Sequence, residues 1–259
     1  MKNKAIYLLV FMILLTSCNQ KQLPAQTEPP ITSSTLTNTP IPIISIVTST
    51  DTPVPTDLPT HETNSLIIYS HDFSFDDKNW TIGELDNEFI KINTSLQNDK
   101  FHMTLEALRD NVYGRYCLKN HTFENFILSV EASLVDGPAL SSYGLLFRRS
   151  NSDSDILGNY YELRLNNNGE YRINLRSGGT TTALLDWTKS EAIINEGTNL
   201  VVINASGPLI RIFINDNEIA TISSETLKQG QICFYVSLTN NGDSKTVEYD
   251  NISISSNTP

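Results

Sequence analysis

SYGLLFRRSNSDSDILGNYYELRLNNNGEYRINLRS, residues Ser142–Ser177, is the stretch whose side-chain alternation decides the fold. In Ser142–Arg149 the residues Tyr143, Leu145 and Phe147 fall on one side, and Ser142, Gly144, Leu146 and Arg148 on the other. Two-residue alternation of this kind marks a half-buried strand. Asn159–Leu165 repeats it, with Tyr161, Leu163 and Leu165 inward and Tyr160, Glu162 and Arg164 outward. The third segment sets Tyr171, Ile173 and Leu175 against Arg172, Asn174 and Arg176. Asn168-Gly169 lies between the last two and adopts the positive φ angles of a tight hairpin at low cost. The stretch therefore predicts three antiparallel strands with one apolar face. The opposite face carries Arg148, Tyr160, Glu162, Arg164, Arg172 and Arg176, and the stretch holds five of the chain's eight arginines.

Outward from this centre, alternation and turn signals recur across everything beyond Ser65. Leu66–Tyr69, Glu88–Asn93, Phe101–Leu108, Tyr113–Leu118 and Asn125–Val135 precede it. Ala183–Trp187, Asn199–Asn204, Leu209–Asn215, Glu218–Ser223, Gln231–Leu238 and Thr246–Ile254 follow. About a dozen short strands with no helical period between them predict an all-β, antiparallel two-sheet β-sandwich or jelly roll.

The formal net charge of −11 argues against a nucleic-acid role, because phosphate binding needs a basic surface. From Ser65 onward there are 25 acids and 15 bases, so an arginine cluster is unevenly placed. Two readings stand. The arginines form cross-strand ion pairs worth ~0.2–1 kcal/mol each, or they face a ligand. Pyranose faces stack on flat rings, which makes Tyr160 and Trp187 candidates for sugar binding. Arg148, Glu162, Arg164 and Arg172 would supply directional hydrogen bonds. Trp187 also fits core packing, and Trp80 fits it better.

Cys117 and Cys233 are each out of phase with their apolar neighbours, Tyr116 and Leu118, and Ile232 and Phe234. They therefore point to the same kind of face, and in an oxidising compartment they could pair as a disulfide. The four histidines, at 61, 71, 102 and 121, show no zinc-like spacing. No cofactor is expected. Calcium would have only Asp153 and Asp155 to draw on, and a solvated loop is the plainer reading of those two. No Gly-x-Ser-x-Gly elbow supports serine-hydrolase chemistry.

Met1–Cys18 begins with Lys2 and Lys4, continues through an apolar Ala5–Leu15, and ends Leu15-Thr16-Ser17-Cys18. This is the pattern of an export signal, and its eleven apolar residues are too few to span a bilayer. The ending resembles a bacterial lipobox. That resemblance implies lipidation of Cys18 and a chain anchored at the cell membrane, facing outside the cytoplasm. Residues 19–64 hold eight of the eleven prolines and much of the threonine, as a disordered linker would. The expected organisation is a signal peptide at 1–18, a linker at 19–64 and a sandwich domain at 65–259.

Several landmarks in order carry a wider resemblance. They are Asp72-Phe73 with Trp80, Tyr143-Gly-Leu-Leu-Phe-Arg148, Tyr160-Tyr161, Leu185-Asp-Trp-Thr188, Ile214-Asn215 before Ile219, Gly230, and Tyr249-Asp250-Asn251-Ile252. Together, across Leu66–Ser255, they resemble the concanavalin A-like lectin/glucanase superfamily, especially its laminin G-like and keto-disaccharide-hydrolase-like modules. The resemblance implies two antiparallel sheets, one of them curved, with ligands on the concave side or the rim loops. Glucanases of this group carry a Glu-x-Asp-x-Glu strand, and Val130–Asp136 lacks that spacing. The fold alone does not fix an activity. The expectation is a noncatalytic, lectin-like module for an extracellular glycan. A protein or cell-envelope interaction module is one alternative, and a hydrolase using carboxylates such as Glu162 or Glu131 is another.

Overall fold

The alternation becomes two facing layers. The structure, a computed structural model, describes residues 65–152 and 155–257. The expected signal peptide and linker, Cys18 and Asp153 lie outside these residues. Among the described residues the chain forms fifteen strands and no helix. They are β1 (Ile67–His71), β2 (Gly83–Asp86), β3 (Ile90–Gln97), β4 (Lys100–Ala107), β5 (Val112–Cys117), β6 (Phe126–Asp136), β7 (Ser142–Ser152), β8 (Asp155–Asn166), β9 (Glu170–Ser177), β10 (Thr180–Lys189), β11 (Thr198–Ser206), β12 (Leu209–Ile214), β13 (Asn217–Ser223), β14 (Gln231–Leu238) and β15 (Ser244–Ser256). A nine-stranded sheet runs β13-β12-β11-β6-β15-β4-β3-β2, with β1 also on β15, and a six-stranded sheet runs β10-β9-β8-β7-β14-β5. The domain is an all-β antiparallel sandwich of jelly-roll type.

The inward residues predicted from the central stretch are the ones that meet the other layer. Tyr143, Leu145, Phe147, Tyr161, Leu163, Leu165 and Ile173 of the smaller sheet are buried. Opposite them lie Phe101, Met103 and Leu105 of β4 and Phe126, Leu128 and Val130 of β6, all in one cluster. Burying such a side chain contributes roughly 1.5–3 kcal/mol. The β8–β9 hairpin turns at Gly169, whose φ of +73° suits a residue without Cβ. Asn166 Oδ1 closes it by accepting from the backbone N–H of Asn168 and Glu170 at 2.9 and 3.1 Å.

Tyr249 of β15 joins the layers. Its ring stacks on Phe234 with centroids 3.9 Å apart, and Trp80 stacks on Phe234 at 4.2 Å. Its hydroxyl reaches the smaller sheet at Gly144 and Tyr235, which face each other across β7 and β14. The carbonyls of Gly144 and Tyr235 lie 2.8 and 2.9 Å from that hydroxyl as alternative acceptors. The N–H groups of the same two residues donate to it at 3.3 and 3.4 Å. Burial pushes the phenol pKa upward, so it stays a donor as well as an acceptor. Gly144 sits at φ +150°, and a Cβ there would lie 2.1 Å from the Leu163 carbonyl oxygen.

Tyr249→Phe keeps the ring stack and removes only the hydroxyl. Leaving buried polar groups short of a partner costs about 1–3 kcal/mol. The thermal midpoint is expected to fall by roughly 2–4 °C per kcal/mol for a domain of this size. An unchanged melting curve would mean that the hydroxyl does not hold the sheets together.

Candidate functional site

The side of the smaller sheet turned away from the core is built from cross-strand rows. One row runs Arg115, Tyr235, Gly144, Arg164, Arg172 across β5, β14, β7, β8 and β9. The next runs Cys117, Cys233, Leu146, Glu162, Asn174 across the same strands. Cys117 and Cys233 are joined by a disulfide, which ties the edge strand β5 to β14. Leu146, Tyr160, Cys233 and Tyr235 form a second apolar cluster, with Tyr113 and Cys117 against it, on the far side from the main core.

Beyond this floor Gln231 faces Arg149, and Tyr160 faces Arg176. Two rows of guanidinium groups thus flank a stripe made of the disulfide, Leu146 and Glu162. Arg164 reaches across β7, where Gly144 presents no side chain, and lies 5.6 Å from the Tyr235 ring and 5.8 Å from the Trp187 ring. Its Nε donates to Ser142 Oγ at 2.8 Å and its Nη2 to Ser237 Oγ at 2.7 Å. Glu162 is buried and accepts from Asn174 Nδ2 at 2.6 Å. Burial, reinforced by the Glu162 charge, raises the Tyr235 pKa. Burial does the same for Tyr160, helped by Tyr113 and Glu162. Arg172 Nε lies 3.5 Å from the exposed carboxylate of Asp186, a separation and exposure at which an ion pair contributes little.

The candidates named from sequence are mostly here. Tyr160, Glu162, Arg164 and Arg172 share this face. Trp187 is half-buried beside Arg164 and outside the core cluster, whereas Trp80 lies within it. Arg148 is a correction. Between Phe147 and Ser150 the register of β7 slips, so Arg148 and Arg149 together oppose Tyr160 alone. This is a β-bulge. Arg148 sits at φ +48° and turns off the face. Its guanidinium donates instead to the carbonyls of Glu124, at 2.9 Å, and Leu227, at 3.1 Å. Arg149 takes the outward place, with Nη1 on Gln231 Oε1 at 3.0 Å. Burial lowers its pKa, and the like charge of Arg115 lowers it further.

Sequence reasoning also passed over Tyr113, Arg115 and Tyr235. The signal was present, because they share the parity of Cys117 and Cys233, which had been read as out of phase. Glu131 lies on β6 of the other sheet, facing Asp250 of β15 in register. Among the described residues no group of three or more His, Cys, Asp or Glu is placed to hold a metal ion.

A family model for the 3-keto-alpha-glucoside-1,2-lyase-like domain matches residues 74–255. The chain belongs to this family. The structure of the carbohydrate-binding module CBM66 from Bacillus subtilis aligns with a TM-score of 0.50 at 12% identity, covering 69% of this chain and 96% of that one. A Bacillus subtilis protein of unknown function with a galectin-like fold aligns at 0.55 and 13% identity, over 74% of this chain and 96% of that one. A prokaryotic beta-1,3-1,4-glucanase (lichenase) derived from a mouse hindgut metagenome aligns at 0.55 and 10%, over 72% and 97%. At these identities the likeness is one of fold. No curated protein matches the chain in sequence. The 3-keto-alpha-glucoside-1,2-lyase-like domain thus has the β-sandwich of carbohydrate-binding modules and glycosidases.

The same domain holds a second polar cluster, beside a cavity of about 720 Å³ lined by Asp136, Gly137, Asn167, Asn195 and Glu196. Lys245 is buried beneath Gly137, donating to Ser141 Oγ at 2.8 Å and Asn167 Oδ1 at 3.0 Å. Burial lowers its pKa from 10.5 to about 8, against a small opposing effect of Asp136. Above pH 8 the unfolded chain therefore holds a proton that the folded one has lost, and stability rises with pH. The rise ends near pH 10, where tyrosines that are buried in the fold ionise in the unfolded chain. Relative to Lys245→Met, the wild type should gain about 2 kcal/mol between pH 8 and pH 10 in urea titrations. Parallel curves would show that the Lys245 amine stays protonated in the fold.

Proposed function

We propose that the outer face of the smaller sheet binds an extracellular carbohydrate without turning it over. The observation that carries this reading is the composition of the face. Tyr113 and Trp187 offer half-buried rings above the buried rings of Tyr160 and Tyr235, and Arg164 and Arg172 offer directional polar groups beside them, backed by the buried Glu162 and Asn174. Pyranose recognition needs that combination of flat apolar surface and placed hydrogen-bond partners. Structures with this fold that bind or cut glycans, among them the CBM66 module and the lichenase, lend support.

Two-carboxylate glycoside hydrolysis requires acids about 5–9.5 Å apart across one bond. Glu162 and Glu131 stand on different sheets and cannot meet that need together. The family's lyase description favours a second reading, in which one base on this face removes a proton from a keto-sugar. Turnover of a keto-glucoside panel, lost in Glu162→Gln, would establish it in place of the binding role.

Trp187→Ala and Tyr113→Ala should each weaken binding on a glycan array by about tenfold or more, as truncated aromatic anchors do. Trp187 lies outside the core, so its variant should melt like the wild type. A blank array, or affinities unchanged in both variants, would count against the reading. Capture of envelope proteins by the chain would then favour an interaction module.

The amino-terminal pattern supports a surface lipoprotein whose domain stands off the membrane on a proline- and threonine-rich linker. Stable anchoring takes more than one acyl chain. Cys18→Ser should move the chain from the membrane fraction to the soluble exported fraction and abolish metabolic labelling with palmitate. Retention of the label would refute lipidation at that residue.

A further inference from the structure

The two sheets carry opposite charge. The strands of the smaller sheet contain seven Arg and Lys against four Asp and Glu, while those of the larger sheet contain four against eight. The chain as a whole has a net charge of −11. Adding Asp153, between β7 and β8, to the acids of the smaller sheet still leaves it basic. An acidic protein has thus gathered its guanidinium groups on one layer, and five of them border the face described above.

Three of those guanidinium groups, on Arg149, Arg164 and Arg172, are held in ways that leave room for an anion. Arg149 is 7% exposed, and among the described residues its one hydrogen-bond partner is the neutral Gln231 side chain and its Nε has none. It also lines a rim cavity of about 360 Å³ with Asn120, His121, Thr122, Gln229 and Gln231, a lining that among the described residues contains no carboxylate. Among the described residues Arg172 Nε is likewise without a hydrogen bond, and its nearest counter-charge is the water-exposed Asp186 carboxylate at 3.5 Å, which an incoming anion can replace. Arg164 is satisfied by two serine hydroxyls and faces two aromatic rings. A desolvated guanidinium without a counter-charge is costly, and a bound anion removes that cost. Its planar fork matches carboxylate and sulfate oxygens in pairs.

We infer that the carbohydrate taken by this face is an anionic glycan, whose carboxylate or sulfate groups are met by Arg149 and Arg172 while its sugar rings lie against Tyr113 and Trp187. The inference rests on the carbohydrate-binding reading and narrows it to one class. Glu162, in the stripe between the arginine rows, repels anions from the centre and steers them to the rows.

The test uses the full chain with three polymers: polygalacturonate for carboxylates, dextran sulfate for sulfates, and neutral dextran. The expected result is that one polyanion binds at least tenfold more tightly than dextran, and that this preference shrinks as salt rises. Arg149→Gln and Arg172→Gln should each reduce it several-fold. The half-exposed Arg172 provides a variant that keeps the fold. Whichever polyanion is retained identifies carboxylate or sulfate as the group recognised. Dextran bound as well as either polyanion would overturn the anionic class and leave the carbohydrate reading standing. Polyanion binding indifferent to both substitutions would overturn the inference, because the attachment would lie elsewhere. No binding to any of the three would also overturn it, and a blank neutral-glycan array alongside would remove the carbohydrate reading too.

Discussion

The hydroxyl of Tyr249, set between Gly144 and Tyr235, is the contact on which the rest of the sandwich depends. Two sheets held only by apolar packing can slide, because dispersion and hydrophobic burial are not directional. A buried hydroxyl with four backbone neighbours is directional, and it fixes one point of β15 against one register pair of β7 and β14. That same pair lies in the arginine row of the outer face. Gly144 serves both sides: its backbone meets Tyr249 within, and its missing side chain lets Arg164 cross to Tyr235 without. The binding surface is therefore positioned from inside the core.

Much of this was legible in the chain. Tyr161, Leu163 and Leu165 set against Tyr160, Glu162 and Arg164 gave both the layer and its outward face, because strand geometry enforces a period of two. What alternation cannot show is an inserted residue. Arg148 and Arg149 are chemically identical, so a phase slip between them leaves no trace in the pattern, and only the bulge decides which one faces outward. Tyr235 was hidden for a different reason. Ile232, Cys233, Phe234, Tyr235 and Val236 are all buried, because the outer side of β14 is covered by neighbouring tyrosine and arginine side chains. A strand shielded on both faces reads as a continuous apolar run. The two cysteines were the better guide, since directly opposed residues on paired strands must share a face.

The ion-pair account of the arginines explains less of the face than its composition first suggests. Glu162 lies among them, yet its carboxylate accepts from Asn174. Arg164, two residues further along β8, turns to Ser142 and Ser237. Asp186 stands near Arg172 but is largely open to water. Guanidinium groups held by neutral partners keep their charge available outward, whereas paired ones would cancel it. An arginine fixed by serines and stacked near aromatic rings is also pre-oriented, so less rotamer entropy is lost when a ligand arrives.

The placement of the carboxylates decides what chemistry this face can support. Glu131 and Asp250 oppose each other on the larger sheet, and burial together with Glu131 raises the Asp250 pKa. A raised carboxylate beside a second one is a familiar sign of acid–base catalysis. Here the pair lies on the layer that carries the excess of acids, away from the arginines, the tyrosines and Trp187. Glu162, which does lie among the aromatic groups, has no second carboxylate in its row. The aromatic groups and the paired acids are thus divided between the two layers of the sandwich. A two-acid glycosidase needs both kinds of group around one sugar. A binding module needs only the first.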